Sequence, residues 1–206
     1  MVGRPDRIHR NSLSRPASDR FETRRATVED LDQLLAHVQA GFDSYVAFAP
    51  AGWEPPSVRE IREPTRELLA DQQTWALIAL ERDTPVGHVS FYPGRERVPE
   101  QPPRPLSERP LIPGLAHFWQ LFVLPRWWGT GVAGLLHDAA IEEMRARSYE
   151  QSRLFTPSAH VRARRFYERR GWTAVDAEWY EWFQLELSEY RLGLDPLETP
   201  RSLNSA

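Results

Sequence analysis

A turn with two glycines follows an apolar stretch in the middle of the chain, and its composition suits phosphate binding. The residues run Leu121-Phe-Val-Leu-Pro-Arg-Trp-Trp-Gly-Thr-Gly-Val-Ala133. The apolar part does not alternate with polar residues, which favours a buried strand, and the residues after Gly131 have helical spacing. Glycines at a helix start leave backbone N–H groups uncovered, and that helix end carries partial positive charge. The segment therefore predicts a site for a ligand that carries a pyrophosphate group.

A second segment with chemically useful side chains runs from His160 to Trp172 and contains five arginines beside the pair Phe166-Tyr167. Its spacing predicts a helix over 158–170, with Gly171 as a left-handed C-terminal cap. Neighbouring residues on a helix are about 100° apart, so one of the two rings can pack in the core while the other reaches a ligand. The arginines fit either a solvated face or contacts with a ligand phosphate, and both readings stay open.

The composition restricts the classes of function that the chain can have. The 206 residues, 41% of them hydrophobic, suffice for one domain with a full core. A formal net charge of −3 predicts no nucleic-acid or membrane partner, and no apolar run reaches the roughly 18 residues of a membrane span. Cysteine is absent and all 26 basic residues are arginine, which excludes disulfides, thiolate metal sites and a Schiff-base lysine. No apolar signal segment is visible, so a cytoplasmic location is expected.

The remaining pattern predicts strands and helices that alternate around one sheet. Residues 1–20 are predicted to be a disordered tail, residues 21–192 the domain and residues 193–206 a C-terminal tail. Thr27 and Asp30 have the form of a capping box before an amphipathic helix. The other predicted elements are a helix over 57–72, kinked near Pro64, and strands over 21–26, 74–81, 86–92, 115–124, 153–156, 172–175 and 183–192. This order favours an α/β or α+β fold with a central sheet.

Seven prolines between Pro93 and Pro113 predict that this span has no regular structure. Long irregular connections inside a domain are often lids or binding loops. A disordered surface insertion is the alternative, and the sequence does not choose between them.

The two chemically interesting segments resemble those of one family, the GNAT N-acetyltransferases. In that family an apolar-aromatic-Val triplet leads into Arg/Gln-x-x-Gly-x-Gly/Ala, which here is Leu121-Phe122-Val123 followed by Arg126-Trp-Trp-Gly-Thr-Gly131. The family's second segment, Asn-x-x-Ala-x-x-Phe-Tyr-x-x-x-Gly-Phe/Trp, matches residues 160–172, with His160 in place of Asn. The resemblance extends from about residue 21 to residue 192. It implies a central mixed, mostly antiparallel twisted sheet flanked by helices.

The resemblance implies acetyl-coenzyme A as the acetyl donor, a primary amine as the acceptor and no metal. In this family the strand before the turn splays from its neighbour, so main-chain groups of Leu121 and Val123 are expected to bind the pantetheine arm. His160 is expected to replace the hydrogen bonding of the family's Asn. The residues expected to contact the cofactor are Leu121, Phe122, Val123, Arg126, Trp128, Gly129, Thr130, Gly131, Val132, Ala133, His160, Ala163 and Phe166.

Two catalytic roles follow from the resemblance, an acid and a base. Tyr167 has the position from which a phenol protonates the leaving coenzyme A thiolate. Many family members have a carboxylate base four residues before the triplet, and that position here is His117. An imidazole, with an ordinary pKa near 6.5, suits proton transfer at neutral pH. His88 and a water chain are alternatives. Alternation along the strand puts His117 and Trp119 on one face, with Phe118 and Gln120 on the other.

The acceptor is left open by the sequence. Aromatic residues in the regions that select the acceptor in this family fit an acceptor pocket, a dimer contact or core packing; they are Tyr45, Phe48, Trp53, Trp179, Tyr180 and Trp182. Glu178 and Glu181 offer selection of a cationic acceptor as an alternative. Net charge and motif content favour a small-molecule amine over a peptide, and a homodimer is one option. A noncatalytic acyl-coenzyme A sensor on the same fold is the alternative function, supported by the missing carboxylate at His117.

Overall fold

The computed structural model describes residues 17–96 and 108–194, which form a seven-stranded sheet with helices packed against it. The strands are β1 (Glu22–Arg25), β2 (Trp75–Glu81), β3 (Thr84–Arg95), β4 (Leu111–Val123), β5 (Gln151–Pro157), β6 (Thr173–Tyr180) and β7 (Leu185–Gly193). The helices are α1 (Ala17–Arg20), α2 (Leu31–Asp43), α3 (Arg62–Ala70), α4 (Val132–Ala146) and α5 (Val161–Glu168). The strand order is β1-β2-β3-β4-β5-β7-β6, with every neighbouring pair antiparallel except β4 and β5. The predicted fold class is confirmed.

The parallel pair β4 and β5 is hydrogen-bonded over a short distance and then separates. Only Leu115, Ala116 and His117 of β4 are in register with β5. Beyond them, β4 continues beside β3 as far as Val123, while β5 continues beside β7 as far as Pro157. The predicted splaying is therefore confirmed, and it opens a cleft in the middle of the sheet.

A β-bulge at Trp119 changes which side chains of β4 share a face. Phe118 is opposite Phe91 and Gln120 is opposite Ser90, so Trp119 is an extra residue without a direct partner on β3. Side chains directly opposite each other in a ladder share a face. Ser90 and Phe91 are consecutive on β3 and point to opposite faces, so their partners Gln120 and Phe118 also point to opposite sides of the sheet. The prediction that Phe118 and Gln120 share a face is therefore wrong. Alternation along a strand fails wherever an extra residue is inserted.

Helix α2 is joined to the sheet by a buried chain of hydrogen bonds. The Gln33 side-chain amide donates to Nε2 of His37 at 2.9 Å, so the other ring nitrogen of His37 carries the proton. His37 Nδ1 then donates to His88 Nδ1 at 3.2 Å, and His88 Nε2 donates to Oε1 of Gln120 at 3.0 Å. Both imidazoles are buried, and burial lowers the pKa of His37 to about 4 and that of His88 to about 3. The chain of hydrogen bonds is satisfied when both rings are neutral.

Several predicted boundaries differ from the structure. Helix α3 begins at Arg62, not at residue 57, with Pro64 in its first turn, where a missing N–H costs little. Strands β3 and β4 extend through Pro93 and Pro113, so regular structure enters the proline-rich span from both sides. Its central residues, 97–107, lie outside the described part of the chain.

The predicted tails also overlap the folded region. Residues 17–20, assigned to the N-terminal tail, form a helical turn in which Arg20 bonds Glu81 at 2.8 Å. At the other end Leu194 is buried against the core. Residues 1–16 and 195–206 lie outside the described residues. Within the described residues no helix is long and apolar enough to cross a bilayer, and no cluster of side chains suits a metal ion.

Candidate active site

The gap between β4 and β5 forms a cleft of about 480 Å³, which is bounded by α5, the start of α4 and the end of α2. One end lies at the glycine turn and the other at the 3₁₀ turn that follows α2. The middle is lined by Phe118, Leu121, Leu154 and Tyr167. Most residues that the sequence predicts for the site are therefore brought together by the splayed strands. They are Leu121, Phe122, Val123, Trp128, Gly129, Gly131, Ala133, His160, Ala163, Phe166 and Tyr167.

The glycine turn leaves the amino end of α4 open. Gly131, the N-cap residue, has φ of 95°, a conformation that favours glycine, and no side chain caps the helix. The first helical hydrogen bond runs from the N–H of Leu135 to the carbonyl of Gly131 at 3.0 Å. The amides of residues 132–134 consequently have no acceptor within the helix, and they share its positive end. This end of the cleft fits a phosphate group.

Arginines of α5 and the segment after it add positive charge at the same end. The guanidinium of Arg170 lies against Gly134, where a Cβ would overlap it, and forms an ion pair with Asp138 at 3.6 Å. The buried Nε of Arg170 has no hydrogen-bond partner. Arg162 and Arg169 line the cleft as well. The five arginines therefore do not all face the cleft, since Arg164 donates to the Tyr190 hydroxyl and the carbonyl of Ser158 instead.

Trp128 bridges the walls of the cleft near the turn. Its indole N–H donates to the carbonyl of Val123 at 2.8 Å. The guanidinium of Arg162 lies 4.4 Å from the centre of its ring. The indole thereby joins the end of β4 to the start of α5 across the cleft, and it occupies a main-chain acceptor that the resemblance assigns to the pantetheine arm.

Tyr167 is the buried phenol of the cleft. Its ring packs against Phe118, Trp172 and Tyr190, and the residue is only 8% exposed. Burial, and to a smaller extent the nearby Tyr45 phenol, raise the pKa of Tyr167 above its ordinary value. Tyr167 is therefore protonated at neutral pH, so it can donate a proton.

The opposite end of the cleft is built from the end of α2 and the start of α5. The His160 ring stacks on Phe48 with 4.7 Å between centres and lies 5.4 Å from the Tyr45 ring. Burial, assisted by the charge of Arg162, lowers the pKa of His160 to about 4, so this ring is neutral at pH 7. Gly41 lets the Phe122 ring approach α2, because a Cβ there would overlap that ring.

Four predicted site residues do not line the cleft. Val132 is buried in the core, Thr130 donates its hydroxyl to the carbonyl of Trp127 at 2.6 Å, and Arg126 lies 5.9 Å from the Trp127 ring. His117 is 9% exposed and packs against the rings of Tyr92 and Phe155. Phe155 does line the cleft, so His117 is one side chain removed from it. The alternative base His88 belongs to the buried histidine pair.

Sequence reasoning did not find the contribution of Gly41 and Ser44 to the cleft. A glycine inside an otherwise regular helical pattern was the available signal, since it marks close approach of another group. Nothing in the pattern of α2 shows that Phe122, far along the chain, is that group.

Comparison with known proteins identifies the family. The model of the acetyltransferase (GNAT) family matches residues 38–172, which is more than half of the chain. The chain belongs to this family. The comparison with curated proteins gives no match.

Solved GNAT structures share the fold at low sequence identity. PaiA N-acetyltransferase from Thermoplasma acidophilum, in complex with coenzyme A, is 17% identical with a TM-score of 0.61, covering 82% of this chain and 97% of its own. A ribosomal-protein-alanine N-acetyltransferase from Brucella melitensis is 19% identical with a TM-score of 0.59, covering 84% and 99%. YncA from Salmonella typhimurium, with acetyl-coenzyme A, is 19% identical with a TM-score of 0.56, covering 88% and 98%. At this identity the likeness shows the fold and leaves the acceptor open.

Proposed function

We propose that this protein transfers the acetyl group of acetyl-coenzyme A directly to a primary amine of a small molecule. The observation that carries the proposal is a single cleft with an uncapped helix end and arginines at one extreme, and the protonated phenol of Tyr167 along its length. The first feature suits a diphosphate and the second suits a leaving group that needs a proton. Membership of the GNAT family supports both assignments.

The residues present fit coenzyme A. In this proposal the free amides of residues 132–134 and the guanidinium of Arg170 hold its phosphates, which the uncapped start of α4 and the approach of Arg170 to Gly134 support. Main-chain groups of Leu121 and Val123 lie on the stretch of β4 that has left β5, where they can bind the pantetheine arm once the Trp128 indole releases the Val123 carbonyl. Acetyl-coenzyme A supplies a thioester carbonyl that an amine nitrogen can attack.

In the proposed reaction the amine nitrogen bonds to the acetyl carbon, the carbon–sulfur bond breaks and Tyr167 donates its proton to the departing sulfur. The nitrogen then gives up one proton, and the Tyr167 phenolate takes up one, so the products are a neutral amide and free coenzyme A thiol. The raised pKa of the phenol keeps that proton available at neutral pH. Direct transfer requires the two substrates to be aligned in one cleft, and no covalent enzyme intermediate is invoked.

The amine must reach the thioester without its extra proton. His117 is the proposed base from the resemblance, acting past the Phe155 ring that it contacts. The cleft itself offers a second route, because an uncharged wall disfavours an ammonium ion and so favours binding of the neutral amine. The two routes predict different pH dependences.

The test combines calorimetry with coenzyme A and a thiol-release assay over a panel of primary amines. We expect Tyr167→Phe to lower kcat by about 100-fold or more while the dissociation constant of coenzyme A is unchanged. Tyr149→Phe is the matched control, because Tyr149 packs on Phe91 away from the cleft and its variant should keep wild-type turnover.

Two results would contradict the proposal in different ways. Equal turnover by wild type and Tyr167→Phe removes the phenol as the acid. If acetyl-coenzyme A binds but no amine of the panel causes thiol release, the noncatalytic sensor is favoured. If coenzyme A does not bind at all, both the transferase and the sensor are excluded.

A further inference from the structure

The charged side chains that line the cleft are all cationic and come from one short segment of the chain. They are Arg162, Arg169 and Arg170, from α5 or the segment directly after it. Beside the glycine turn, Arg170 lies against Gly134 and Arg162 lies over the Trp128 ring. The far end is formed by Gly41, Ser44, Tyr45, Phe122 and His160. We call these five residues the acceptor wall; Phe122 and His160, which the resemblance assigns to the cofactor, are thereby assigned to the acceptor instead. Among the described residues no Asp or Glu lines the cleft.

Three carboxylates in the chain segments around the acceptor wall form hydrogen bonds outside the cleft. Asp43, next to Ser44, accepts a hydrogen bond from the Gln39 amide at 2.8 Å on the exposed side of α2. Glu60 accepts from the Trp182 indole at 2.7 Å, and Glu181 accepts from the Trp179 indole at 3.1 Å. None of the three lines the cleft, so no carboxylate of residues 17–96 or 108–194 faces a ligand there.

The polar atoms of the acceptor wall are neutral groups. The Ser44 hydroxyl donates to the carbonyl of Gly41 at 2.5 Å, so its proton is not available to a ligand and its oxygen offers only a neutral acceptor. Tyr45 keeps its proton because burial raises its pKa, and His160 is without charge at neutral pH because burial lowers its pKa. The rings of Phe48 and Trp53 support the wall from behind.

We infer that the acceptor is a primary amine on an uncharged apolar body, such as an arylalkylamine or an alkylamine, and that polyamines and amino acids are excluded. This inference rests on the proposed function and specifies its substrate class. A second ammonium or a carboxylate on the acceptor would lose its hydration against a wall without an opposite charge. Aromatic rings attract ammonium groups, but more weakly than water hydrates them. An alkyl or aryl body instead gains apolar contact with Phe122 and Tyr45.

The test compares amines that differ only at the end remote from the reacting nitrogen. Hexylamine, 1,6-diaminohexane and 6-aminohexanoate have the same chain length, and 2-phenylethylamine adds an aromatic body. Thiol release gives kcat/KM for each, with acetyl-coenzyme A in excess. We expect hexylamine and 2-phenylethylamine to exceed both charged analogues by about 100-fold or more, the discrimination typical of an uncompensated buried charge.

A carboxylate placed in the wall should reverse the preference. Ser44→Asp is expected to raise the ratio of kcat/KM for 1,6-diaminohexane over hexylamine by about 10-fold or more, and Ser44→Asn, similar in size and uncharged, should keep the wild-type ratio. Because both amines are compared on the same protein, the ratio does not depend on the fraction of the variant that is folded.

The outcomes separate this inference from the proposed function. Equal kcat/KM for hexylamine and 1,6-diaminohexane in the wild type, or a preference for the diamine, overturns the uncharged acceptor while acetyl transfer stands. Turnover of 6-aminohexanoate at the rate of hexylamine overturns it likewise. Thiol release with none of the four amines overturns it too, and calorimetry with coenzyme A then tells whether the transferase assignment also fails.

Discussion

The buried pair His37 and His88 should make the protein unusually sensitive to mild acid. Both rings are neutral in the native state, with pKa values lowered to about 4 and about 3, whereas an exposed imidazole has a pKa of about 6.5. Between pH 6.5 and about 4, both imidazoles become protonated in the unfolded chain but stay neutral in the native protein. Protons therefore favour unfolding, and the stability present above pH 6.5 is lost as the pH falls towards 4.

The magnitude follows from the same linkage. Between pH 6 and pH 5 each neutral buried imidazole lowers the free energy of unfolding by about 1 kcal/mol, and the pair by about 2 kcal/mol. That is a large part of the free energy of unfolding of a typical domain, which is roughly 5–15 kcal/mol. Urea unfolding followed by tryptophan fluorescence at pH 7, 6 and 5 measures the loss directly.

A variant isolates the pair from the other titrating groups. The pKa values of His137 and His160 are also lowered by burial, so the wild-type slope contains their contributions. His88→Gln removes one buried imidazole, and its loss of stability between pH 6 and pH 5 should be smaller than the wild-type loss by about 1 kcal/mol. The comparison uses the change with pH, so a lower stability of the variant at pH 7 does not affect it. Identical slopes for the two proteins would refute the reasoning.

Two further predictions concern the cleft. If the neutral amine binds without a dedicated base, kcat/KM for an alkylamine should rise with pH up to about 10, the range of amine pKa values, and equally so in His117→Gln; a wild-type plateau below that range that the variant lacks would establish His117 as the base. Gly41→Ala should displace the Phe122 ring and raise the acceptor KM without changing coenzyme A affinity, whereas Gly131→Ala, strained at φ of 95°, should weaken coenzyme A binding measured by calorimetry. The same loss in both parameters for each variant would contradict this division of the cleft.

Patterns of neighbouring residues predict much of the fold and the glycine-turn end of the cleft. The glycine pair and the helical spacing after Gly131 predict an uncapped helix start, because its free donors are backbone amides of consecutive residues. Gly171 was predicted at a left-handed cap, and its φ is 84°. Such features depend on a few neighbouring residues, so a pattern in the chain is enough to locate them.

Other features depend on which strands and helices become neighbours. The bulge at Trp119 arises from the pairing of β3 with β4, and it moves Gln120 to the face where His88 is buried. Pro93 and Pro113 lie within strands because the ladder tolerates a missing N–H at irregular positions, which no count of prolines reveals.

Short contiguous motifs suffice to predict the family, the glycine turn before α4 and Tyr167 as the candidate acid. Two features follow instead from how the elements pack: His117 lies one ring away from the cleft, and the acceptor wall has no charged side chain. Both features depend on side chains from four separate elements, α2, β4, β5 and α5. Burial and charge balance at a point depend on every element that meets there, and no single stretch of residues contains that information.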